Sequence, residues 1–202
     1  MTRPFRVLPL VLLFSCSAPD ITAPSADDHV RGPADAKVTL IEYGDYQCPP
    51  CSKSALAVER LLKEHPRDLR FVYRHFPTRP HRNAVPAAKA AEAAERQGKF
   101  WEMHAKLFAE QQQWYGASDP RDAFRRFARE LGLDESRFRA AYESEEIERR
   151  VRDAKESARG FAVRGAPAFF VNGDRLNRMT VTYEDLQPRI AAALAQSRGE
   201  KR

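Results

Sequence analysis

The spacing of apolar residues predicts a strand, a helix and a second strand near the start of the folded chain. Residues 38–43 (VTLIEY) are a β-branched apolar run typical of a strand, and residues 68–73 (DLRFVY) form another. Between them a helix opens at Cys48, shows apolar residues at helical spacing and ends before Pro66. This order is a βαβ unit, which implies parallel strands joined by a right-handed crossover.

Helical patterns without strand signals fill the middle of the chain. Asp119 and Pro120 supply an N-cap and a first-turn proline for one of these helices, which Gly132 closes. Aromatic residues at helical spacing here, such as Trp101 and Trp114, are interpreted as core rather than as a ligand box. The predicted helices cover residues 84–97, 100–113, 119–132 and 147–158.

The last part of the chain mixes strands and a helix again. Residues 168–171 are a short buried strand, and Asn172-Gly173 predicts a type I′ turn into a second strand at residues 174–176. A closing helix covers residues 183–195. The chain therefore reads as an α/β domain whose two parts are separated by a helical insertion.

Composition changes this picture little. The 202 residues are 43% apolar, which is enough to bury a core. The 34 basic and 28 acidic residues give a net charge of +6, but the two signs alternate along helical stretches. We interpret them as solvated helix faces and predict no nucleic-acid partner.

The first residues have the layout of an export signal. Arg3 and Arg6 precede a short apolar run and small residues, and the run is well below the roughly 20 residues that span a bilayer. The segment ending at Cys16 (LFSC) resembles the lipobox of bacterial lipoproteins, which predicts lipidation of Cys16 and membrane anchoring; cleavage after Ala18 or Ala26 is the alternative. We predict a signal at residues 1–15, a linker at 16–34, and a periplasmic or cell-envelope location.

Cys48 and Cys51 are then the cysteines left to the folded part of the chain, separated by Pro49 and Pro50. A thiol at a helix N-terminus has a stabilised thiolate, because unpaired N–H groups and the helix dipole favour negative charge there. Cys51 lies one turn inside the helix and is suited to resolving a mixed disulfide. These positions predict a redox pair.

Two other interpretations of the cysteine pair remain open. A static disulfide contributes little, because so short a loop removes little entropy from the unfolded chain. A metal site would need further ligands, and His75, His81 and His104 are candidates, but none of them has the spacing of known zinc motifs. We predict neither a metal nor a cofactor.

The element order, the CPPC at a strand-to-helix turn and the late VRGAPAFFVNG stretch resemble DsbA-like thiol-disulfide oxidoreductases of the thioredoxin superfamily. The resemblance covers approximately residues 35–195. It implies a thioredoxin-like fold with an inserted helical domain. The thioredoxin-like domain would comprise residues 35–82 and 164–198, and the helical insertion residues 83–163.

The resemblance also implies roles for residues outside the cysteine motif. Pro167 matches the family's cis-proline facing the redox pair, and Ala166 would pair its backbone with an extended substrate chain. Glu42 matches a buried acid that relays a proton to the resolving Cys51, although alone it could be an ordinary strand residue. Pro50 stands where strong oxidants of the family carry histidine, and Ala166 replaces the usual valine or threonine, so the redox poise stays open.

These observations predict an exported protein-disulfide oxidoreductase that forms or exchanges disulfides. Its partners would be cysteine-containing protein substrates and a membrane or soluble redox partner that recycles the pair. A reductase or isomerase of the same fold is the first alternative. A non-catalytic protein that binds metal or holds extended chains is the second.

Overall fold

The computed structural model describes residues 20–23, 25, 28–176 and 178–199, with the side chain of residue 198 excepted. Five strands and eight α-helices follow one another in these residues, with a 3-10 turn at Ala158–Phe161. The strands are β1 (His29–Arg31), β2 (Val38–Gly44), β3 (Leu69–His75), β4 (Ala168–Val171) and β5 (Asp174–Leu176). The helices are α1 (Pro49–Glu64), α2 (Ala84–Glu95), α3 (Phe100–Ala109), α4 (Gln111–Trp114), α5 (Arg121–Glu130), α6 (Glu135–Glu143), α7 (Glu145–Ser157) and α8 (Tyr183–Gly199).

The strands form one mixed sheet in the order β1-β3-β2-β4-β5. The central pair, β2 and β3, is parallel, as the βαβ prediction requires, and the other three pairings are antiparallel. Every residue of β2 is buried, because helices cover both faces of the sheet at its centre. The end of β2 therefore delivers the following loop into the interior.

The two faces of the sheet pack into separate apolar clusters. One face carries alternate residues such as Leu40, Phe71 and Phe169 into the main core, together with residues of α1 and α8. The other face carries Ile41 and Val72 into a smaller cluster. The alternation follows the two-residue period of a strand, so successive apolar residues of β2 pack into the main core and the smaller cluster in turn.

Helix α1 begins where its sequence predicts. Cys48 is the N-cap in an extended conformation, and the prolines at the next two positions lose no hydrogen bond there because the first N–H groups of a helix have no intrahelical partner. The helix ends at Glu64, just before Pro66. The two prolines thus fix the direction in which the helix leaves the cysteine loop.

The helices α2–α7 lie between β3 and β4 in the chain. Alanines on nearly every side of α2 are buried, so α3, α6 and α7 can approach it closely. Between β4 and β5, Asn172 and Gly173 have positive φ values of 48° and 92°, which confirms the predicted type I′ turn. Asn172 also accepts a hydrogen bond from the Thr39 N–H through its side chain.

Three features differ from the predicted elements. Strand β1 lies inside residues 16–34, which we expected to be a linker; three residues carry no readable periodicity, and their order comes from pairing with β3. Helix α6 was not predicted, because Phe138 is its one buried residue. The helix expected at 100–113 is divided at Glu110 into α3 and α4.

Cys16, the predicted lipidation site, lies outside the described residues. Within the part of the chain that the structure describes, no helix combines the length and the hydropathy required to cross a bilayer.

Candidate active site

The two thiols lie in the loop and first turn that follow β2. The Cys48 N–H donates to the Asp45 carbonyl at 3.0 Å, which closes a tight turn between the strand and the helix. Both cysteines are free thiols. Cys48 retains 5% of its surface and Cys51 none, so the expected order of exposure holds, but Cys48 is more enclosed than its sequence position suggested.

The environment separates the acidities of the two thiols. Interaction with the Cys51 side chain lowers the pKa of Cys48, and the Cys51 backbone adds to this effect. Burial raises the pKa of Cys51 well above its ordinary value, and its interactions with Cys48 and Glu42 raise it further. Cys48 is therefore the thiol that ionises first, and its thiolate accepts a hydrogen bond from the protonated Cys51.

The loop before β4 faces the thiols. The Ala166–Pro167 peptide bond is cis, as the family resemblance implies. In its protonated form the Cys48 thiol donates through Sγ to the Ala166 carbonyl at 3.4 Å, so this loop touches the first thiol directly. An open groove runs alongside this contact, lined by Pro50, Gly165, Ala166, Pro167, Ala168, Arg175, Leu176, Arg178 and Met179.

Glu42 lies beneath the thiols on β2. It is 1% exposed, and its Oε1 has no hydrogen-bond partner among the described residues. Burial, and secondarily the charge of Cys48, raise the pKa of Glu42 from 4.5 to about 8. Glu42 is therefore mostly protonated at neutral pH while the thiols are reduced. Once ionised, its carboxylate charge raises the pKa of Cys51.

Asp45 and His81 belong to the same site but were not identified as a pair from the sequence. The Asp45 carboxylate is buried and accepts from His81 Nδ1 at 2.7 Å. The charges of both residues act on Cys48. His81 attracted notice only as a potential metal ligand, and no motif connects residues 36 positions apart.

The histidines considered as metal ligands are not assembled around one point. His81 bonds to Asp45, His104 bonds to the Tyr46 hydroxyl at 3.0 Å, and His75 bonds to Glu92 at 3.0 Å. A separate cluster of His29, His75 and Glu92 does place three ligating atoms together.

The His29, His75 and Glu92 cluster is organised as a hydrogen-bonded ion network. Both imidazole Nε2 atoms reach the same Glu92 oxygen, at 2.8 and 3.0 Å, and the Arg150 guanidinium binds the other oxygen at 3.0 Å. Burial alone would disfavour a charged Glu92, but these hydrogen bonds outweigh it and hold the pKa of Glu92 below its usual range. A divalent cation would have to compete with Arg150 in a closed interior, which argues against metal binding here.

The sequence model of the family described as Thioredoxin matches residues 25–192. The chain belongs to the thioredoxin family. Its fold is similar to that of a thioredoxin-like oxidoreductase from Silicibacter pomeroyi, with 28% identity, a TM-score of 0.70, and coverage of 87% of this chain and 94% of that one. It is also similar to α-DsbA1 from Wolbachia pipientis, with 18% identity, a TM-score of 0.77, and coverage of 89% and 96%. The predicted thioredoxin-like fold with an inserted helical domain is thereby confirmed.

The chain also matches one part of curated proteins that are much longer than it is. The chain is 41% identical over 172 residues to the Na(+)/H(+) antiporter NhaA 1 of Salinispora arenicola. The match covers 85% of this chain and 25% of that protein, so the chain spans about a quarter of the length of these relatives.

Proposed function

We propose that this thioredoxin-family protein is a protein-disulfide oxidoreductase whose redox pair is Cys48 and Cys51. The proposal rests on one observation: the two thiols at the N-terminus of α1 have different pKa values and different exposure. Cys48 has the lowered pKa and contacts the Ala166 loop, while Cys51 is fully buried with a raised pKa. A static disulfide needs no such difference between its two sulfurs.

In the oxidising direction, a substrate thiolate attacks Cys48 Sγ of the Cys48–Cys51 disulfide. The electron pair of the broken S–S bond goes to Cys51, which takes up a proton supplied by Glu42. A second substrate thiolate then attacks the substrate sulfur of the mixed disulfide and releases Cys48 as the thiolate. The substrate leaves with a new disulfide, and two electrons remain on the cysteine pair.

We assign the groove beside Ala166 and Pro167 to the substrate chain. The Ala166 carbonyl already accepts from Cys48, and the neighbouring backbone offers an extended segment a partner for main-chain hydrogen bonds. Substrates would be cysteine-containing proteins, and a membrane or soluble redox partner would remove the two electrons from the reduced pair.

We further propose that the protein works outside the cytoplasm, in the periplasm or cell envelope. The signal-like residues 1–15 support export, and Cys16 is the candidate site for a lipid anchor. Mass spectrometry of the membrane fraction distinguishes a diacylated Cys16 from cleavage after Ala18 or Ala26.

The redox function is tested by trapping. The full chain carrying Cys51→Ala, incubated with insulin as a disulfide probe, should accumulate a mixed disulfide through Cys48, because no nearby thiol then resolves it. Cys48→Ala is the matched control and should trap little. Equal trapping by the two variants, or none by either, contradicts the proposal.

The direction of electron flow separates an oxidant from a reductase or isomerase of the same fold. Equilibration of the Cys48–Cys51 pair with glutathione measures the reduction potential. A value near those of the strong oxidants indicates disulfide formation, and a value near that of thioredoxin, about −270 mV, indicates reduction.

A further inference from the structure

The Asp45 carboxylate is a buried anion next to the redox pair. One oxygen, Oδ1, accepts from the Gln47 N–H at 2.8 Å. The other, Oδ2, accepts from the N–H and the hydroxyl of Thr78, at 2.9 and 2.8 Å, and from His81 Nδ1 at 2.7 Å. These hydrogen bonds connect the turn before α1 to the loop after β3, and they hold the carboxylate in place.

His81 is the partner that can neutralise this anion. Gln47 and Thr78 donate neutral hydrogen bonds, and His81 is the ionisable side chain among the contacts described for Asp45. A fully buried carboxylate is costly without a positively charged partner, and His81 is positioned to supply that charge. The His81 side chain is 22% exposed, whereas the Asp45 side chain is fully enclosed.

Asp45 and His81 are close enough to Cys48 to influence its thiol. Asp45 precedes Cys48 by three positions, and its backbone carbonyl accepts from the Cys48 N–H. The Asp45 charge raises the pKa of Cys48, whereas the His81 charge lowers it. The other groups acting on this thiol are Cys51, within α1, and Glu42, from β2.

We propose, resting on the function proposed above, that His81 is a positioning residue that serves as the counter-ion of the redox site. Held on Asp45, the positive charge of His81 opposes the negative charge that Asp45 directs at the Cys48 thiolate. Without the His81 charge, the thiolate, and with it the reduced pair, becomes less stable. The loop after β3 thereby supplies a cationic group to a site whose dipeptide, Pro49-Pro50, contains none.

The test compares His81→Asn with the wild-type full chain. Asparagine places an amide N–H close to the position of Nδ1, so the hydrogen bond to Asp45 survives while the charge is lost. The acid dissociation constant of Cys48, followed by thiolate ultraviolet absorbance, should fall by about threefold or more. The equilibrium constant for oxidation of glutathione by the protein should fall by a similar factor, where tenfold corresponds to about 30 mV.

Two further variants serve as controls for this test. Asp45→Asn/His81→Asn removes both charges, and its Cys48 dissociation constant should return to within about twofold of the wild-type value or exceed it. His65→Asn removes a partly buried histidine at the opposite end of α1 and should change neither quantity.

The outcomes separate this inference from the proposed function. If the wild-type chain traps and exchanges disulfides but His81→Asn has an unchanged Cys48 dissociation constant and an unchanged glutathione equilibrium, the counter-ion role is wrong while the redox function stands. An equal loss in the single and double variants also overturns it, because charge compensation would then not be the cause. If the wild-type pair exchanges no disulfides, the proposed function itself fails.

Discussion

At the scale of single residues, the site depends on two thiols with the same side chain and different surroundings. Cys48 is the helix N-cap with a lowered pKa, and Cys51 is completely enclosed with a raised one. Because the thiolate is the nucleophile, the difference in pKa decides which sulfur reacts first.

We therefore expect Cys48 to react first with iodoacetamide at mildly acidic pH. Its thiolate fraction exceeds that of Cys51 there, and its sulfur retains some access to solvent. Peptide mass mapping after limited alkylation of the reduced protein measures the order. Preferential labelling of Cys51 in the native protein would refute the assignment; the denatured protein, which should label both equally, is the control.

Glu42, the proposed proton donor, has a cost in stability. Its pKa is raised from 4.5 to about 8 in the folded protein, mainly by burial. The folded state thus keeps a proton that the unfolded state releases above pH 4.5. Stability present below pH 4.5 is consequently lost as the pH rises toward 8.

Glu42→Gln should accordingly raise the free energy of unfolding at pH 7 by about 3 kcal/mol, since each unit of pKa corresponds to about 1.4 kcal/mol. The gain should shrink as the pH falls to 4.5. Denaturant titrations of the reduced protein at several pH values measure it, with half-exposed Glu59→Gln as the control. The same variant should slow disulfide exchange, because Cys51 loses its proton donor; a stability gain independent of pH would contradict this account.

At the scale of elements, α1 is both a packed helix and part of the electrostatics of the site. Cys51, Val58 and Leu61 are buried along one side, while the first turn carries no acidic residue to oppose a thiolate. The Cys51 N–H in that turn and the helix dipole act on Cys48 at the cap. The residue at position 50 lies in this first turn and can modify the effect.

Pro50→His should make the pair more oxidising. The histidine adds a cation and a donor near Cys48, and loss of the proline returns a backbone N–H at the helix start. Stabilisation of the thiolate by about 1–3 kcal/mol corresponds to tens of millivolts, and the pKa of Cys48 should fall in step. Equilibration with glutathione measures the change.

A matched control for Pro50→His is Leu56→His, which adds a histidine to the same helix at a side chain that is 76% exposed and away from the cap. Its potential should equal that of the wild-type protein. An unchanged or more reducing potential in Pro50→His, with the fold intact, would mean that the helix terminus does not set the poise, and Ala166 and Glu42 would be tested next.

At the scale of the whole molecule, the Glu92 network joins three parts of the fold. Glu92 on α2 receives hydrogen bonds from His29 on β1 and His75 on β3, and an ion pair from Arg150 on α7. It thereby connects the edge of the sheet to the helices between β3 and β4. Since its pKa is held low, the stabilisation is present above the unfolded value of 4.5 and is lost as the pH falls below it.

Glu92→Ala should lower the free energy of unfolding at pH 7 by about 2–5 kcal/mol, because it leaves the two buried imidazoles of His29 and His75 without the carboxylate oxygen that they contact. Glu148→Ala is the matched control: Glu148 pairs with Lys89 across the same two helices, but its side chain is 60% exposed. That variant should cost less than about 1 kcal/mol. Denaturant titrations compare the two, and equal losses would show that the network contributes no more than a surface pair.

Local patterns in the sequence determined much of this protein. The apolar run of β2, the prolines that open α1, and the Asn172-Gly173 turn are predictable because their causes act within a few residues. The CPPC motif identified the two thiols for the same reason. Their positions, Cys48 at the N-cap and Cys51 in the first turn of α1, follow from the neighbouring residues alone.

Only the tertiary structure decided those features that depend on contacts between residues distant in the chain. Strand β1 has three residues and exists through pairing with β3, so its own sequence carries too little signal. His81 reaches Asp45, and Glu92 gathers His29 and His75, across separations that no periodicity encodes. The raised pKa of Glu42 likewise results from burial by the surrounding layers, because a strand glutamate has that acidity only where water is excluded.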